Sequence, residues 1–185
     1  MPLSTNHANS PSDPSLPGPQ SRAKRVAISA LFASLALIFS YIEAIVPAAT
    51  AVPGIKLGIA NLVVIIAMYR LDLRYALTIN LVRIALAGFM FSGFYGAVYS
   101  LCGCLFSFAV MCLMKKTGLF SVIGVSMGGG VAHNIGQLCI AAFLVSGLEI
   151  FYYMPVLIVS GTISGILIGW LGTILLTHLP AKLFM

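Results

Sequence analysis

Arg83 is the residue whose chemistry stands out first, because it places a permanent charge inside a long apolar run. Asn80 precedes it by three residues, so the two side chains share one face of a predicted helix. A guanidinium carries planar pairs of N–H donors, which suit it to bind a carboxylate or phosphate. At membrane depth such a charge is costly and needs a partner or a watery cavity. Arg83 and Asn80 are therefore candidate substrate-binding residues.

Glu43, toward the outer end of the first predicted helix, is the carboxylate within the predicted membrane helices. Two interpretations of it remain open. In the first, Glu43 pairs with Arg83 and the pair serves only the fold. In the second, Arg83 binds an anionic substrate and Glu43 shapes the pocket around it.

The sequence HNIGQ forms a second polar cluster, in which His133 and Gln137 are four residues apart on one helical face and Asn134 adjoins them. Gln is a poor metal ligand, and no second His or carboxylate is near, so we expect no metal site. Two functions remain open for the cluster. It either locks neighbouring helices together by hydrogen bonds or donates hydrogen bonds to a substrate.

Lys56 and Asn61, in KLGIAN, form a third group at the outer start of the second predicted helix. Lys56 either extends to the lipid headgroups, as lysines at helix ends commonly do, or joins the substrate site. Asn61 lies deeper and has no such explanation. Because Arg83 and His133 fall near the middle of their helices, we expect the three groups to line one cavity that opens to the outside.

Several enzyme signatures are missing. The sequence has no GxxxxGK[ST] phosphate loop, no HExxH, and no DDxxD of the kind with which prenyl diphosphate synthases hold magnesium and diphosphate. Four acidic residues in the whole chain are too few for a two-metal site. We therefore expect neither catalysis nor a cofactor. Four cysteines lie in apolar segments without ligand spacing, and we expect no disulfide from Cys102, Cys104, Cys112 and Cys139.

The elements that must position these residues are membrane helices. Of 185 residues, 60% are hydrophobic and 8% are charged, with a mean hydropathy of +1.07, whereas soluble domains carry about 25% charged residues. The apolar runs predict helices over 26–46, 55–71, 73–91, 94–114, 120–146 and 151–176. We expect helix five to break at Gly128 to Gly130, and Pro155 to lie in the first turn of helix six.

The basic residues predict the orientation of this bundle. In a six-span arrangement eight of them fall on one side, and only Lys56 falls on the other. The eight are Arg22, Lys24, Arg25, Arg70, Arg74, Lys115, Lys116 and Lys182. This asymmetry explains the net charge of +6 without a nucleic-acid partner. The sequence thus predicts an all-α, multi-pass protein of the bacterial inner membrane with both termini cytoplasmic: residues 1–21 as a disordered tail and 22–185 as the six-helix domain.

Helix one carries small residues three and four apart, which allow two helices to approach closely in lipid. Their partner is either another helix of the same chain or the docking surface of a second membrane subunit. The residues concerned are Ala23, Ala27, Ser29, Ala30, Ala33 and Ser34.

Four stretches resemble one bacterial family in order and spacing: PGIKLGIANLV, NLVRIALAG, FSVIGVSMGGGVAHNIGQL and YYMPVLIVSGTISGILIGW. This is the Gx transporter family, also labelled heptaprenyl diphosphate synthase component I, and the resemblance runs from Val26 to the end. The family is similar to the substrate-binding S components of energy-coupling factor (ECF) transporters. That similarity implies six membrane helices, an outward-facing small-molecule site, and a first helix that docks on a transmembrane coupling subunit.

The resemblance implies two functions. The first is capture of a small polar or anionic molecule for uptake, energised by partner ATPases. The second, taken from the older label, is a non-catalytic membrane subunit of heptaprenyl diphosphate synthase, in menaquinone side-chain synthesis. A purely structural membrane scaffold is a third possibility that the residues leave open.

Overall fold

The computed structural model describes residues 19–45, 58–145, 148–180 and 184, and the regular structure in these ranges is helical throughout. The prediction of an all-α protein is thus confirmed for this part of the chain. The elements are α1 (Pro19–Ile45), α2 (Ile59–Arg70), α3 (Leu73–Ala87), a π-helical segment (Gly88–Ser92), α4 (Gly93–Thr117), α5 (Val122–Val145), a 3-10 segment (Leu148–Tyr153) and α6 (Met154–His178).

Several predicted features lie outside the described residues. They are the tail before residue 19, the loop that precedes α2, Lys56 and Lys182. Pro155 is in the first turn of α6, as predicted.

Four helical runs of the described chain are long and apolar enough to cross a membrane, which makes this a multi-pass membrane protein. They are Arg22–Ile45, Leu73–Thr117, Val122–Val145 and Glu149–His178. A bilayer core is about 30 Å thick and needs roughly 20 helical residues. The run Leu73–Thr117 has 45 residues and is therefore about twice as long as one crossing requires.

That long run does not continue as one straight helix. Gly93 has a φ of 68°, in the left-handed region, and a Cβ built on Gly88 would lie only 2.6 Å from the Cβ of Ala97. Nine residues of straight helix would separate these positions by about 13 Å. The chain therefore bends sharply at Gly93 and lays α4 against α3, at the boundary predicted between helices three and four.

Helix α2 differs from the prediction of a 17-residue membrane span. It has 12 residues and begins at Ile59, because Gly58 before it has a left-handed φ of 74° that ends any helix. Eight of its residues are buried, and it packs against α1, α3 and α6. A helix that is apolar on every side belongs in a protein interior. Helix α2 is accordingly a short central helix surrounded by other helices.

The predicted break at Gly128 to Gly130 is wrong, because α5 runs without interruption from Val122 to Val145. These glycines serve close packing. A Cβ on Gly129 would lie 2.6 Å from Met111 Sδ of α4. On the facing helix α6, a Cβ on Gly165 would lie 2.6 Å from the Cα of Met127. Small residues at such contacts let helix backbones approach closely in lipid, so α5 is held between α4 and α6.

Basic side chains gather at one end of the bundle and bind the carbonyl ends of helices. Arg70 donates to the backbone oxygens of Leu176 and Leu179 at the end of α6. Lys115 donates to the oxygen of Met68 near the end of α2. Cations are favourable at helix carboxyl ends, where carbonyls lack partners. This end of the bundle is the one predicted to face the cytoplasm.

Candidate functional site

A cavity of about 90 Å³ lies where all six helices meet. One water molecule needs about 10–15 Å³, so the cavity holds several waters or one small molecule. Its wall is rich in polar side chains. They are Ser40, Glu43, Asn61, Arg83, Ser92, Ser100, His133, Asn134, Gln137 and Ser164.

Arg83 reaches the cavity from α3 and is itself only 9% exposed. Its Nε and Nη2 donate to Asn80 Oδ1 at 3.1 and 2.7 Å, and its Nη1 donates to Ser40 Oγ of α1 at 2.9 Å. These bonds hold the plane of the guanidinium in one orientation. A guanidinium has five N–H donors, so one N–H on each terminal nitrogen remains for a molecule in the cavity.

Glu43 lines the same cavity but binds a different partner. Its Oε1 accepts the backbone N–H of Ile59 at 2.8 Å, at the first residue of α2. A carboxylate is favourable there because the first N–H groups of a helix lack internal partners and carry positive charge. The ion pair found among the described residues joins Arg25 to Asp72 at 3.0 Å, far from the cavity. Glu43 therefore caps α2 and makes no direct ion pair with Arg83.

His133 and Gln137 extend from α5 along the surface of α4. They fit there because position 103 of α4 is glycine: a Cβ on Gly103 would lie 2.9 Å from His133 Cε1 and 2.8 Å from Gln137 Cγ. Gly103 is buried, so this contact is internal. The absence of a side chain at Gly103 thus lets both residues pack against α4 and line the cavity.

Asn134, the third member of the HNIGQ cluster, uses its amide nitrogen for hydrogen bonds between helices. Its Nδ2 donates to the backbone oxygen of Leu157 at 2.8 Å and to Ser160 Oγ at 3.3 Å, both on α6. This is the interhelical bonding that the sequence left as one alternative for the cluster. Asn134 joins α5 to α6 while its side chain also borders the cavity.

The structure brings six of the eight candidate binding residues to one cavity. Asn80 lies behind Arg83 and orients it, and Lys56 is outside the described residues. The other six line the wall: Glu43, Asn61, Arg83, His133, Asn134 and Gln137. Sequence reasoning missed the serines of the wall. Ser40 had a signal, since it precedes Glu43 by three residues and so shares its helical face.

An aromatic pair stands beside the cavity. Phe91, in the π-helical segment, lines the wall and packs edge-on against Tyr41 of α1, with ring centroids 5.4 Å apart. Short π-helical segments occur often at functional sites. The pair covers the junction between α1 and the π-helical segment.

Residues 124–128 read GVSMG and match the G-x-S-x-G pattern of serine hydrolases, which sequence reasoning overlooked. That pattern requires a serine exposed on a tight strand-to-helix turn. Ser126 lies inside α5 and is only 4% exposed. His133 is seven residues further along the helix, about 10 Å at 1.5 Å per residue, which is too far to activate a serine. The match carries no hydrolase chemistry here.

The small residues of α1 divide between two faces. Ala23, Ala27, Ala30 and Ser34 are exposed, among exposed apolar neighbours such as Leu31 and Ile38. Ala33 is buried at 7% exposure, and Ser29 is half-buried with its hydroxyl bonded to the oxygen of Arg25. The four exposed positions are three or four residues apart and form one stripe that no described part of the chain covers.

Comparison with protein families gives one result of note. The family model for heptaprenyl diphosphate synthase component I matches residues 32–175, which is most of the chain. Comparison with curated proteins and with solved structures finds no match. The matched region contains α2 to α5, about half of α1, most of α6, and every residue of the cavity wall. On this match the chain belongs to the heptaprenyl diphosphate synthase component I family.

Proposed function

We propose that this protein is a membrane subunit that captures a small anionic or polar molecule from the outside, for uptake energised by partner ATPase subunits. The observation that supports this most is Arg83: a buried guanidinium, fixed by two neighbours, that borders a water-sized to metabolite-sized cavity. An arginine at membrane depth costs at least about 2.5 kcal/mol to insert. Binding of an anionic ligand is a function for which such a costly residue would be kept.

The division of charges in the cavity supports an anionic ligand. Glu43 is engaged by the amino end of α2, so it does not neutralise Arg83 by direct contact. The two remaining N–H groups of Arg83, one on each terminal nitrogen, are suited to donate to a carboxylate or phosphate. Asn61, His133 and Gln137 line the same cavity with groups suited to hydrogen bonding.

The exposed stripe of α1 supports a partner subunit. In this proposal Ala23, Ala27, Ala30 and Ser34 dock on a transmembrane coupling subunit, which passes on the energy of ATP hydrolysis. Both termini then face the cytoplasm, where the ATPases act. The clustering of Arg25, Arg70 and Lys115 at one end of the bundle agrees with this orientation under the positive-inside rule.

A second function follows from the family description: a non-catalytic membrane subunit of heptaprenyl diphosphate synthase. The family match favours this function more directly than it favours uptake, since the description names a synthase component. Catalysis would then belong to a separate chain that carries the Asp-rich motif. A cavity of about 90 Å³ does not accommodate seven isoprene units, so a polyprenyl tail would lie along the outer surface of the helices.

Mass spectrometry of small molecules released from the purified wild-type protein separates these functions. Capture for uptake predicts one anionic or polar metabolite at near-stoichiometric amounts. A synthase subunit predicts a prenyl diphosphate, retained only when the catalytic partner co-purifies. If a well-folded preparation that also contains the catalytic synthase chain releases neither class of compound, both proposals are refuted and the scaffold function is left.

A further inference from the structure

A second, smaller pocket continues from the cavity into the bundle. It has a volume of about 20 Å³ and shares four wall residues with the cavity: Gly58, Asn61, Gly130 and Ser164. It extends about one helical turn deeper, past Ile65 of α2 and Ile168 of α6. This direction leads toward the basic end of the bundle, because α2 and α6 both end there. We call it the inner pocket.

Two hydroxyl groups face the inner pocket without a partner in the described part of the chain. Ser107 of α4 and Ser126 of α5 line it, and each is only 4% exposed. Several hydroxyls elsewhere in the bundle bond the carbonyl one turn earlier, as Ser40 of α1 and Thr173 of α6 do. Neither Ser107 nor Ser126 makes such a bond. Both oxygens border the open space of the pocket and are not sealed from it, so they are available to bond whatever occupies the pocket.

The wall of the inner pocket also defines what can enter. Glycines leave its sides open: a Cβ on Gly129 would lie 3.3 Å from Ser107 Oγ. No charged residue lines it among the residues that the structure describes. At about 10–15 Å³ per water, the space suits one small group. That group is neutral and able to form hydrogen bonds.

We propose that the inner pocket is a specificity subsite in which Ser107 and Ser126 bind a hydroxyl or carbonyl group of the captured molecule. This subsite rests on the proposed function and defines the substrate class more closely. The molecule is short and carries an anionic group at one end, bound by Arg83, and a small neutral polar group at the other. An apolar end would leave both hydroxyls unpaired.

The test uses the purified full-length protein and matched pairs of compounds. The pairs are propanoate, butanoate, pentanoate and ethyl phosphate, each beside its terminally hydroxylated counterpart. Binding is measured by thermal stabilisation over a concentration series. For at least one pair, the hydroxylated compound should bind roughly two- to tenfold more tightly, the effect of one neutral hydrogen bond. The variant Ser107→Ala with Ser126→Ala should bind both members equally, while binding of the parent anion is retained.

Thr78→Ala is the matched control, because Thr78 is exposed on α3, bonds its own helix and lines neither pocket; it should behave as wild type. If the double variant folds poorly, each single variant should lose part of the preference. The subsite is refuted if wild type binds both members of every pair equally, as it would if the inner pocket keeps a water. It is also refuted if the preference survives in the double variant. Failure of the proposed function looks different: no anion stabilises wild type, and both ideas then fall.

Discussion

Replacing Arg83 by methionine tests the site assignment most directly, and the structure allows its effect on the fold to be worked out. Asn80 Oδ1 loses two bonds and is left buried at 3% exposure, which costs about 1–3 kcal/mol. Ser40 loses one bond but still donates to Ala36. Removing a charge from membrane depth returns about 2.5–3.5 kcal/mol. These contributions nearly cancel, so Arg83→Met should fold with an unfolding free energy close to that of wild type.

The effect on binding should be much larger. Truncating one member of a buried, hydrogen-bonded charge pair costs about 2–5 kcal/mol, which is roughly thirtyfold in affinity or more. Arg83→Met should therefore lose the anionic compound that co-purifies with wild type. Arg83→Lys should retain only part of it, because an ammonium lacks the planar fork. The assays are mass-spectrometric quantification of the retained compound and the apparent Tm of the same preparation.

Two outcomes would refute this reasoning. A well-folded Arg83→Met protein that retains the compound at wild-type occupancy would remove Arg83 from the site. The second concerns Glu43. Because Glu43 caps α2 and makes no ion pair with Arg83, adding Glu43→Gln should not restore stability that Arg83→Met loses. Recovery of stability in that double variant would show that the two residues form a structural pair.

Three other predictions concern topology, docking and the site wall. A periplasmic reporter fused after Met185 should be inactive, since the carboxyl terminus is expected in the cytoplasm; an active fusion would overturn the six-span topology. Ala30→Leu, on the exposed stripe, should abolish co-purification with a membrane partner and leave Tm unchanged. Ala33→Leu, at a buried position, should instead overpack the bundle and lower the free energy of unfolding by about 1–3 kcal/mol. Unchanged co-purification of Ala30→Leu would refute the docking face. Gly103→Leu should displace His133 and weaken binding of the co-purifying anion, and wild-type retention would mean that the α4 contact is unimportant for the site.

The polar residues of the site could be predicted from the sequence because an apolar background makes each of them conspicuous. Arg83, Asn61 and Glu43 interrupt runs in which nearly every neighbour is apolar, and each of the three borders the cavity. Serines give a weaker signal, since a serine in a membrane helix can bond its own backbone and then needs no other partner. Ser107 and Ser126 differ from other helix serines only in their surroundings, which no local pattern records.

Helix boundaries and glycine functions were harder to predict, for a related reason. The apolar run before Met68 shows neither that Gly58 has a left-handed φ nor that α2 is enclosed by other helices. Likewise Gly129 and Gly130 are consistent with either a break or a close contact. The contact depends on what faces each of them: Gly129 faces Met111 on α4, and Gly130 faces Gly161 and Gly165 on α6. Tertiary packing decides both cases.

The short length of α2 explains why the cavity carries a cation available for a ligand. Because α2 begins at Ile59, its amino end lies inside the bundle, where its unpaired N–H groups carry partial positive charge. Glu43 binds that end at 2.8 Å, so the carboxylate of the cavity is already engaged. Asn80 and Ser40 orient Arg83 without neutralising it. If α2 began further toward the outside, Glu43 would be free to pair with Arg83. The cavity would then bind an anionic ligand much more weakly.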